Sequence, residues 1–289
     1  MSIDLDQLRE IRIEDPGAIA RAAAARSRRV PGSRLLLIAA DHPARGSLAA
    51  RGRPAAMADR VDLLKRLITA LGHRGVDGVL ATPDVLEDLL LLGALEDRVV
   101  VGSMNRGGLV GSSFEFDDRF TAYDATTLAA MGFEGGKMLV RIALDDPATA
   151  RTLEQAGHAV SELAERGLMA MLEPFISQWK DGRASNILTA EAVVKSAAIA
   201  AGLGVTSRHT WLKLPVVDDM EAVARSTTLP ILLLGGDPTG RDDEVYERWR
   251  KALTLPGVRG LVVGRALLYP DDDDVASAVD LAADMVHGQ

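Results

Sequence analysis

The sequence predicts an α/β protein built as one (β/α)8 TIM barrel with a helical extension before it. Short apolar runs of strand length recur along the 289 residues and alternate with amphipathic segments of helical length. Strand alternating with helix indicates right-handed βαβ units, and eight such units in about 250 residues match a barrel. A doubly wound open sheet is the alternative, but no strand run is followed by G-x-G-x-x-G.

The eight strand runs are mostly aliphatic and are bounded by Gly, Pro or Asp. Nearly continuous apolar strands indicate a parallel sheet that is covered on both faces. The runs span residues 34–41, 76–82, 98–104, 136–143, 168–175, 210–216, 229–236 and 258–264.

Helical periodicity fills the intervals between the runs. In residues 56–75, Val61, Leu64, Ile68 and Leu71 recur at spacings of three and four. Other helices are expected from cap residues, such as Asp146 followed by a proline, and from closing glycines. They are predicted over residues 146–167, 189–204, 218–227, 242–254 and 271–286.

The chain is predicted to be one domain over residues 1–289, since no linker or repeat divides it. Residues 1–33 precede the first strand and form the helical extension. Within them, residues 15–29 are expected to form a helix that covers the bottom of the barrel.

The composition excludes several classes of function. Net charge is −8 and the pI is about 5.2, so nucleic acid is not an expected partner. The absence of cysteine excludes disulfides and thiol nucleophiles, and the five histidines lack ligand spacing, so no metal or other cofactor is expected. The N-terminus does not resemble a secretory signal, and the longest apolar run, 88–95, is too short for a membrane helix. We expect a cytoplasmic protein with no membrane partner.

Lys213 lies inside an apolar run, "TWLKLP", although burying an unpaired ammonium group is costly. Only six of the 33 Lys and Arg residues are lysine, so the chain usually uses arginine where it needs a positive charge. A lysine here therefore calls for a chemical explanation. A purely structural lysine paired with a carboxylate is the alternative.

Three further charged residues lie on or beside predicted strands: Asp41 ends the first, Lys137 lies on the fourth and Glu173 on the fifth. Active-site residues of barrels lie at the C-terminal strand ends, so these side chains can meet Lys213 in one cavity. Each also has an ordinary explanation. Asp41 can cap a turn, Lys137 can lie in solvent before its strand, and Glu173 can bridge to backbone or to an arginine.

The chemistry that needs a lysine rather than an arginine is imine formation with a ketone or aldehyde. Burial and a second cation, such as Lys137, would lower the pKa of the Lys213 amine toward neutrality. Breaking a carbon–carbon bond next to the resulting iminium requires a proton to be removed from a hydroxyl and another to be returned to carbon. Glu173 and Asp41 suit this acid–base work.

Glycines at the ends of the last two strands indicate a phosphate site. In barrels, the loops after strands seven and eight often bind phosphate through backbone N–H groups. Here "LLLGGDPTG" (232–240) and "VVGRALLYP" (262–270) occupy these two positions. The predicted binding residues are Gly235, Gly236, Gly264 and Arg265.

Several of these segments resemble the barrel class I aldolases, which include the tagatose-bisphosphate, archaeal-type fructose-bisphosphate and deoxyribose-phosphate aldolases. "TWLKLP" resembles their Schiff-base strand, and "LIAADHPARG" resembles the first-strand segment of the archaeal type. "GGKMLVRI" and "MLEPF" resemble the fourth and fifth strands of the tagatose-bisphosphate type, and "LLLGGD" and "GLVVGRAL" the two phosphate strands. The resemblance covers about residues 34–270 and is most specific at Lys213.

The resemblance implies a role for each of these residues. Lys213 would form the Schiff base, Lys137 would tune it, Glu173 would act as acid and base, and Asp41 would orient or deprotonate a substrate hydroxyl. Two features depart from the family pattern. The third strand ends in "SMNRGG", and the tyrosine acid of the archaeal type has no clear counterpart on the fifth strand, so the proton donor is not assigned.

The branch that the sequence most resembles is labelled deoxyribose-phosphate aldolase-like and is associated with inositol catabolism. This implies 5-dehydro-2-deoxy-6-phosphogluconate as the substrate, with dihydroxyacetone phosphate and malonate semialdehyde as products. Arg106 or Arg141 would pair with its carboxylate, and Asn105 with Arg106 would set specificity. A homo-oligomer is expected.

Three other functions remain open. A metal-dependent aldolase or other barrel lyase would need about three clustered ligands. A Schiff-base thiolase or transaldolase would share Lys213 and differ in its acceptor. A non-catalytic sugar-phosphate-binding protein would bind ligand without forming an imine.

Overall fold

Eight parallel strands close into a barrel in the computed structural model, which describes residues 4–236 and 242–288. A ninth strand lies outside the ring. The strands are β1 (Leu35–Ala40), β2 (Gly78–Ala81), β3 (Val99–Ser103), β4 (Gly135–Ala143), β5 (Met169–Lys180), β6 (Arg183–Asn186), β7 (Thr210–Pro215), β8 (Ile231–Leu234) and β9 (Val258–Val263).

The strands follow the order β4-β3-β2-β1-β9-β8-β7-β5, and pairing of β4 with β5 closes the ring. All pairs within the ring are parallel, as expected when a helix connects each strand to the next. Each barrel strand coincides with one of the eight predicted runs. The predicted (β/α)8 barrel is therefore confirmed, and the open sheet is wrong.

β5 runs beyond its predicted end at residue 175 and forms a hairpin with β6 that the sequence analysis did not predict. Lys180 pairs with Arg183 across the turn. The turn residues, Asp181 and Gly182, have φ angles of 52° and 71°. Asp-Gly favours these angles, which suit a tight hairpin turn.

Helices connect the consecutive strands of the barrel and cover it, and further helices precede the first strand and follow the last. Among the described residues, no helix is long and apolar enough to cross a membrane. The helices are α1 (Leu5–Glu14), α2 (Ala18–Ala25), α3 (Arg60–Leu71), α4 (Pro83–Leu91), α5 (Ala125–Ala130), α6 (Ala148–Glu165), α7 (Ala190–Ala201), α8 (Met220–Arg225), α9 (Asp242–Leu253), α10 (Arg265–Leu268) and α11 (Val275–His287), and a 3-10 turn spans Pro43–Arg45.

Side-chain caps decide where several helices begin. α3 starts at Arg60 rather than at residue 56 because the Asp59 carboxylate accepts a hydrogen bond from the backbone N–H of Asp62 at 2.9 Å. Asp146 was predicted to cap α6, but the cap residue is Pro147, one position later, and the Asp146 carboxylate accepts a hydrogen bond from the N–H of Ala148 at 2.9 Å.

Alternation along the strands separates two apolar cores. Outward side chains pack beneath the helices, and inward ones fill the barrel. The inner core comprises Leu35, Leu37, Ala39, Leu80, Val99, Val101, Met169, Met171, Leu232 and Val262. The same alternation places Lys137, Glu173 and Lys213 on the inward face, and Asp41 follows Ala39 at the next inward position.

The N-terminal extension contains two helices where the sequence predicted one. α1 is stabilised by an Asp4 cap and by Arg12, which donates to the Asp88 carboxylate on α4 at 2.8 Å. It buries only Leu8, so its apolar pattern was too weak to predict a helix. α2 packs against α4. The segment after α2 pairs with the residue before β3, so it crosses the N-terminal end of the barrel as expected.

Arg26, at the end of α2, anchors the N-terminal extension to the barrel. Its guanidinium donates to the Glu134 carboxylate at 2.9 Å and to the carbonyl oxygens of Arg98 and Gly132, each at 2.7 Å. The side chains of Arg26 and Glu134 are 1% and 4% exposed, so the ion pair is buried. Arg28 contacts the same carboxylate at 3.0 Å from a side chain that is 55% exposed.

We expect Arg26→Ala to lower the free energy of unfolding by about 3–5 kcal/mol, because it leaves the Glu134 carboxylate buried without its main partner. Arg28→Ala is the matched control, and it should cost at most about 1 kcal/mol because the Arg28 side chain is 55% exposed and Glu134 keeps Arg26 as its partner. Urea denaturation of the two variants measures the difference. Equal losses would contradict an anchoring role for Arg26.

Candidate active site

A cavity of about 310 Å³ opens at the C-terminal end of the barrel, where active sites of this fold lie. Residues from the inward strand positions and from the loops that follow the strands line it. Among them are Asp41, His42, Arg45, Arg106, Glu115, Leu139, Arg141, Glu173, Phe175, Asn186, Leu188, Lys213, Pro215, Gly235, Gly236, Gly264 and Arg265.

One carboxylate joins the two strand lysines. Glu173 Oε1 lies 2.9 Å from Lys213 Nζ, and its other oxygen, Oε2, contacts Lys137 Nζ. The lysine side chains are 3% and 1% exposed. Both ammonium groups therefore have a carboxylate partner, and this pairing offsets the cost of burying Lys213 in a strand.

Asp41 extends this network toward the third strand. Its Oδ2 lies 3.1 Å from Lys137 Nζ and also contacts the Arg106 guanidinium. Its Oδ1 is buried and has no hydrogen-bond partner in the described structure. The nearest imidazole nitrogen, His42 Nδ1, lies 3.8 Å away and also lacks one. Two unsatisfied polar atoms at the cavity wall are well placed for a ligand hydroxyl.

Burial and neighbouring charges displace the pKa values of these groups. Burial lowers the pKa of Lys213 although Glu173 opposes it, and burial with the charge of Arg106 lowers that of Lys137 well below 10.5. Burial raises the pKa of Glu173, but the charges of Lys137 and Lys213 outweigh it and hold that pKa below its usual range. Glu173 is therefore ionised at neutral pH.

Burial, with the charges of Arg265 and Lys213, lowers the pKa of His42 well below 6.5. His42 is therefore neutral at pH 7, with one ring nitrogen able to donate and the other able to accept. Lys213, Lys137 and Arg106 share the two carboxylates of Glu173 and Asp41. This set has one cation in excess, so the loss of one lysine proton would neutralise it.

The structure brings the predicted phosphate residues together at the cavity wall beside β8 and β9. Gly236 has a φ of 63°, which favours glycine. A Cβ on Gly264 would overlap the carbonyl oxygen of Ala39, so the backbone approaches too closely for a side chain. Residues 237–240 of the predicted "LLLGGDPTG" loop lie outside the described residues.

The remaining predicted residues are held by the protein itself. The Asn105 amide donates to the carbonyl oxygens of Asp118 and Leu139 and accepts from the Leu139 N–H, and it does not line the cavity. Arg106 contacts Asp41 and donates to Ser103 Oγ at 3.1 Å. These bonds give Asn105 a positioning role in the loop after β3.

Arg141 reaches the cavity wall but is heavily paired. Its Nη2 donates to Asp118 Oδ1 at 2.6 Å and its Nε to Asp118 Oδ2 at 3.0 Å. Its Nη1 donates to Glu115 Oε1 at 3.3 Å. The predicted pairing of Arg141 with a substrate carboxylate would have to compete with both of these acids.

Sequence reasoning missed His42, Arg45 and Glu115 at this site. His42 and Arg45 belong to the "DHPARG" segment already noted for Asp41, so adjacency to a strand end was the available signal. Glu115 lies in the long loop after β3, where no local pattern marks it. Among the described residues that line the cavity, none is a tyrosine, and Phe175 occupies the inward position after Glu173. No group of three or more His, Asp or Glu in the described ranges could hold a metal ion.

The fold and the site together define a (β/α)8-barrel protein with a buried lysine pair at its C-terminal mouth. The chain belongs to the Cgl0159-like family, whose sequence model matches residues 33–283. It is similar to the crystal structure of Cgl0159 from Corynebacterium glutamicum (Brevibacterium flavum), with 52% identity and a TM-score of 0.95 over 98% of this chain and 97% of that one.

The barrel is also shared with more distant solved structures. A Schiff-base-forming fructose-1,6-bisphosphate aldolase matches with a TM-score of 0.66 and 16% identity, over 88% of this chain and 95% of that one. A fructose-bisphosphate aldolase from Slackia heliotrinireducens matches with a TM-score of 0.62 and 16% identity, over 95% and 92%. At this identity the likeness shows a common fold. A search of curated protein sequences gives no match.

Proposed function

We propose that the protein is a class I aldolase, a carbon–carbon lyase in which Lys213 forms a Schiff base with a phosphorylated keto sugar or sugar acid. The observation that carries the proposal is the Lys213 ammonium at the cavity wall, bonded to a carboxylate that also holds a second lysine. The shared fold with Schiff-base aldolases supports the proposal.

Lys213 rather than Lys137 is the nucleophile because Lys213 lines the cavity and Lys137 does not. Lys137 contacts both Glu173 and Asp41 from beneath, so its role is to hold these carboxylates and to oppose protonation of Lys213. Burial lowers the pKa of both lysines, so access to a substrate decides between them.

The reaction begins when the Lys213 ammonium passes a proton to Glu173, 2.9 Å away, and the free amine attacks the substrate ketone. A carbon–nitrogen bond forms as the carbonyl π bond breaks, and the oxygen takes the proton that the attacking nitrogen releases, which gives a carbinolamine. Glu173 returns its proton to the departing hydroxyl, water leaves, and an iminium remains. One carboxylate can serve both transfers because it directly contacts the amine.

Cleavage then removes the proton from the hydroxyl two carbons from the iminium carbon. The oxygen of this hydroxyl becomes a carbonyl oxygen. The bond between the hydroxyl-bearing carbon and the carbon next to the iminium breaks, and the electron pair of that bond forms the enamine. Asp41 Oδ1 and His42 Nδ1 are the unsatisfied atoms at the wall that could accept this proton. Protonation of the enamine carbon and hydrolysis release the second product and restore Lys213.

The glycine loops after β8 and β9 support a phosphorylated substrate. Within this class we propose 5-dehydro-2-deoxy-6-phosphogluconate, which the resemblance to the deoxyribose-phosphate aldolase-like branch implies. Its ketone is one carbon from the phosphate ester. On the side of the ketone away from the phosphate, breaking the bond between the first and the second carbon yields dihydroxyacetone phosphate and malonate semialdehyde.

Borohydride trapping tests the proposal. The protein is incubated with dihydroxyacetone phosphate and sodium borohydride, digested, and examined by mass spectrometry. We expect a reduced adduct on the peptide that contains Lys213, since borohydride converts the imine to a stable secondary amine. No adduct with dihydroxyacetone phosphate, any other ketose phosphate or pyruvate would refute a Schiff-base enzyme. An adduct without cleavage of any phosphorylated keto sugar would instead favour a Schiff-base thiolase or transaldolase, which shares Lys213 and differs in its acceptor.

A further inference from the structure

The charges around the cavity differ from those of the chain as a whole. Five cationic and three anionic side chains line the cavity among the described residues, whereas the chain carries a net charge of −8. The cavity is therefore positively charged in a negatively charged protein, so it attracts anionic ligands. One phosphate bound at the glycine loops would pair with Arg265. Further cations then remain on the far side of the cavity for a second anionic group.

The far side is set by the strand order. In the closed ring β4 lies opposite β9, and β3 lies opposite β8. The cavity therefore has a glycine-lined wall at β8 and β9 and an arginine-lined wall at β3 and β4. Lys213 on β7 and Glu173 on β5 lie between these walls. A substrate with its carbonyl at Lys213 and its phosphate at β8 and β9 would point its other end at the arginines.

Arg45 belongs to the turn after β1, and it reaches this wall through its contact with Glu115 in the loop after β3. Of the arginines here it is held most weakly by the protein. Arg106 contacts Asp41, and Arg141 has bidentate contact with Asp118. Arg45 forms an ion pair with Glu115 in the described structure, but the 3.8 Å between nitrogen and oxygen is too long for a hydrogen bond.

Glu115 does not depend on Arg45. Its Oε1 accepts from Arg141 at 3.3 Å, and its Oε2 accepts from the N–H of Gly111 at 2.7 Å. The backbone, by contrast, holds Arg45 in place, because its carbonyl oxygen accepts from the N–H of Val110 at 2.9 Å. The backbone of Arg45 is thus fixed beside the cavity, and its guanidinium has hydrogen-bonding capacity to spare.

We infer that Arg45 binds a second anionic group, a carboxylate or phosphate at the end of the substrate remote from the phosphate at β8 and β9. The inference rests on the proposed function and makes the aldehyde product an anionic one. Arg45 would then determine which aldehyde the enzyme releases in the cleavage direction and accepts in the condensation direction. A guanidinium recognises either group through paired charge-assisted hydrogen bonds.

Condensation of dihydroxyacetone phosphate with matched aldehydes tests this. One pair is malonate semialdehyde and propanal, and the other is glyceraldehyde 3-phosphate and glyceraldehyde. We expect the wild type to prefer the anionic member of at least one pair. Arg45→Gln should lower the ratio of kcat/KM for that anionic aldehyde to kcat/KM for its neutral partner about 10- to 100-fold, mainly through KM. Arg45→Lys should restore part of the ratio because it keeps the charge.

Arg53→Gln is the control, since Arg53 lies in the same loop, is half exposed and does not line the cavity. Trapping of dihydroxyacetone phosphate on Lys213 in Arg45→Gln shows that the variant keeps its site. Equal wild-type use of both members of each pair, or an equal loss for both in Arg45→Gln, would overturn the assignment. If the wild type joins none of the four aldehydes, the proposed function itself is wrong and the role of Arg45 falls with it.

Discussion

Replacing Lys213 by arginine is expected to abolish the borohydride adduct and to lower aldol cleavage by about 10⁴-fold or more, the order typical of removing a covalent nucleophile. A guanidinium stays protonated at every working pH and cannot attack a carbonyl. The substitution keeps a positive charge beside Glu173, so the loss would reflect missing nucleophilicity rather than a missing ion pair. Trapping followed by peptide mass spectrometry, together with a cleavage assay, measures both effects.

Two other lysine variants make this result specific. Lys65→Arg changes an exposed lysine on α3 and should leave adduct and rate at wild-type levels. Lys137→Arg keeps the charge that contacts Glu173 and Asp41, so an adduct on Lys213 should still form, although more slowly. An adduct that persists in Lys213→Arg and disappears in Lys137→Arg would reverse the roles of the two lysines.

Glu173→Gln should lower cleavage by about 10²- to 10⁴-fold, the range expected for loss of a positioned acid–base group. It should also shift the pH dependence of adduct formation. The Glu173 charge opposes the lowering of the Lys213 pKa, so removing it lowers that pKa further. The acidic limb of the adduct-forming rate therefore moves to lower pH, which a merely structural role for Glu173 would not produce.

The same variant has a signature in stability. The pKa of Glu173 is lower in the folded protein than its usual 4.5, so the unfolded state binds more protons as pH falls. The stability from this group is fully present above about pH 4.5 and is lost as pH falls toward the folded pKa. Glu173→Gln removes this dependence and, at neutral pH, should cost about 3–5 kcal/mol, because both buried lysines lose a shared partner.

Glu191→Gln on α7 is the control, since Glu191 is exposed. Its cleavage rate, adduct profile and urea midpoint should match those of the wild type. Unchanged cleavage in Glu173→Gln would remove Glu173 from the mechanism. An adduct profile that shifts to higher pH would contradict the sign of the interaction between Glu173 and Lys213.

The barrel and the core of its site were predictable because both follow from local periodicity. A strand alternates its side chains with a period of two, so the positions of Lys137, Glu173 and Lys213 within apolar runs already placed them inward. Asp41 follows by the same alternation from Leu35, Leu37 and Ala39. Only the closure of the ring was needed to bring these side chains into contact.

The arginines could not be assigned in this way. Arg106 or Arg141 was predicted to pair with a substrate carboxylate, and Arg141 already donates to Asp118 and Glu115, 23 and 26 residues earlier. Asn105 was predicted to set specificity, but the backbone of β4 takes up its amide. No local sequence pattern predicts such partners, because the conformation of the loop after β3 depends on contacts with residues distant in sequence.

The sequence by itself determined the eight strands, the inward face of each and the lysine that must be explained, because these are properties of short periodic segments. The tertiary structure decided which charges are already paired and which remain for a ligand. It joined both lysines to one carboxylate, left Asp41 Oδ1 unsatisfied and placed Arg45 at the cavity wall beside Glu115. Pairing among buried charges depends on distances across the barrel, which only the closed ring defines.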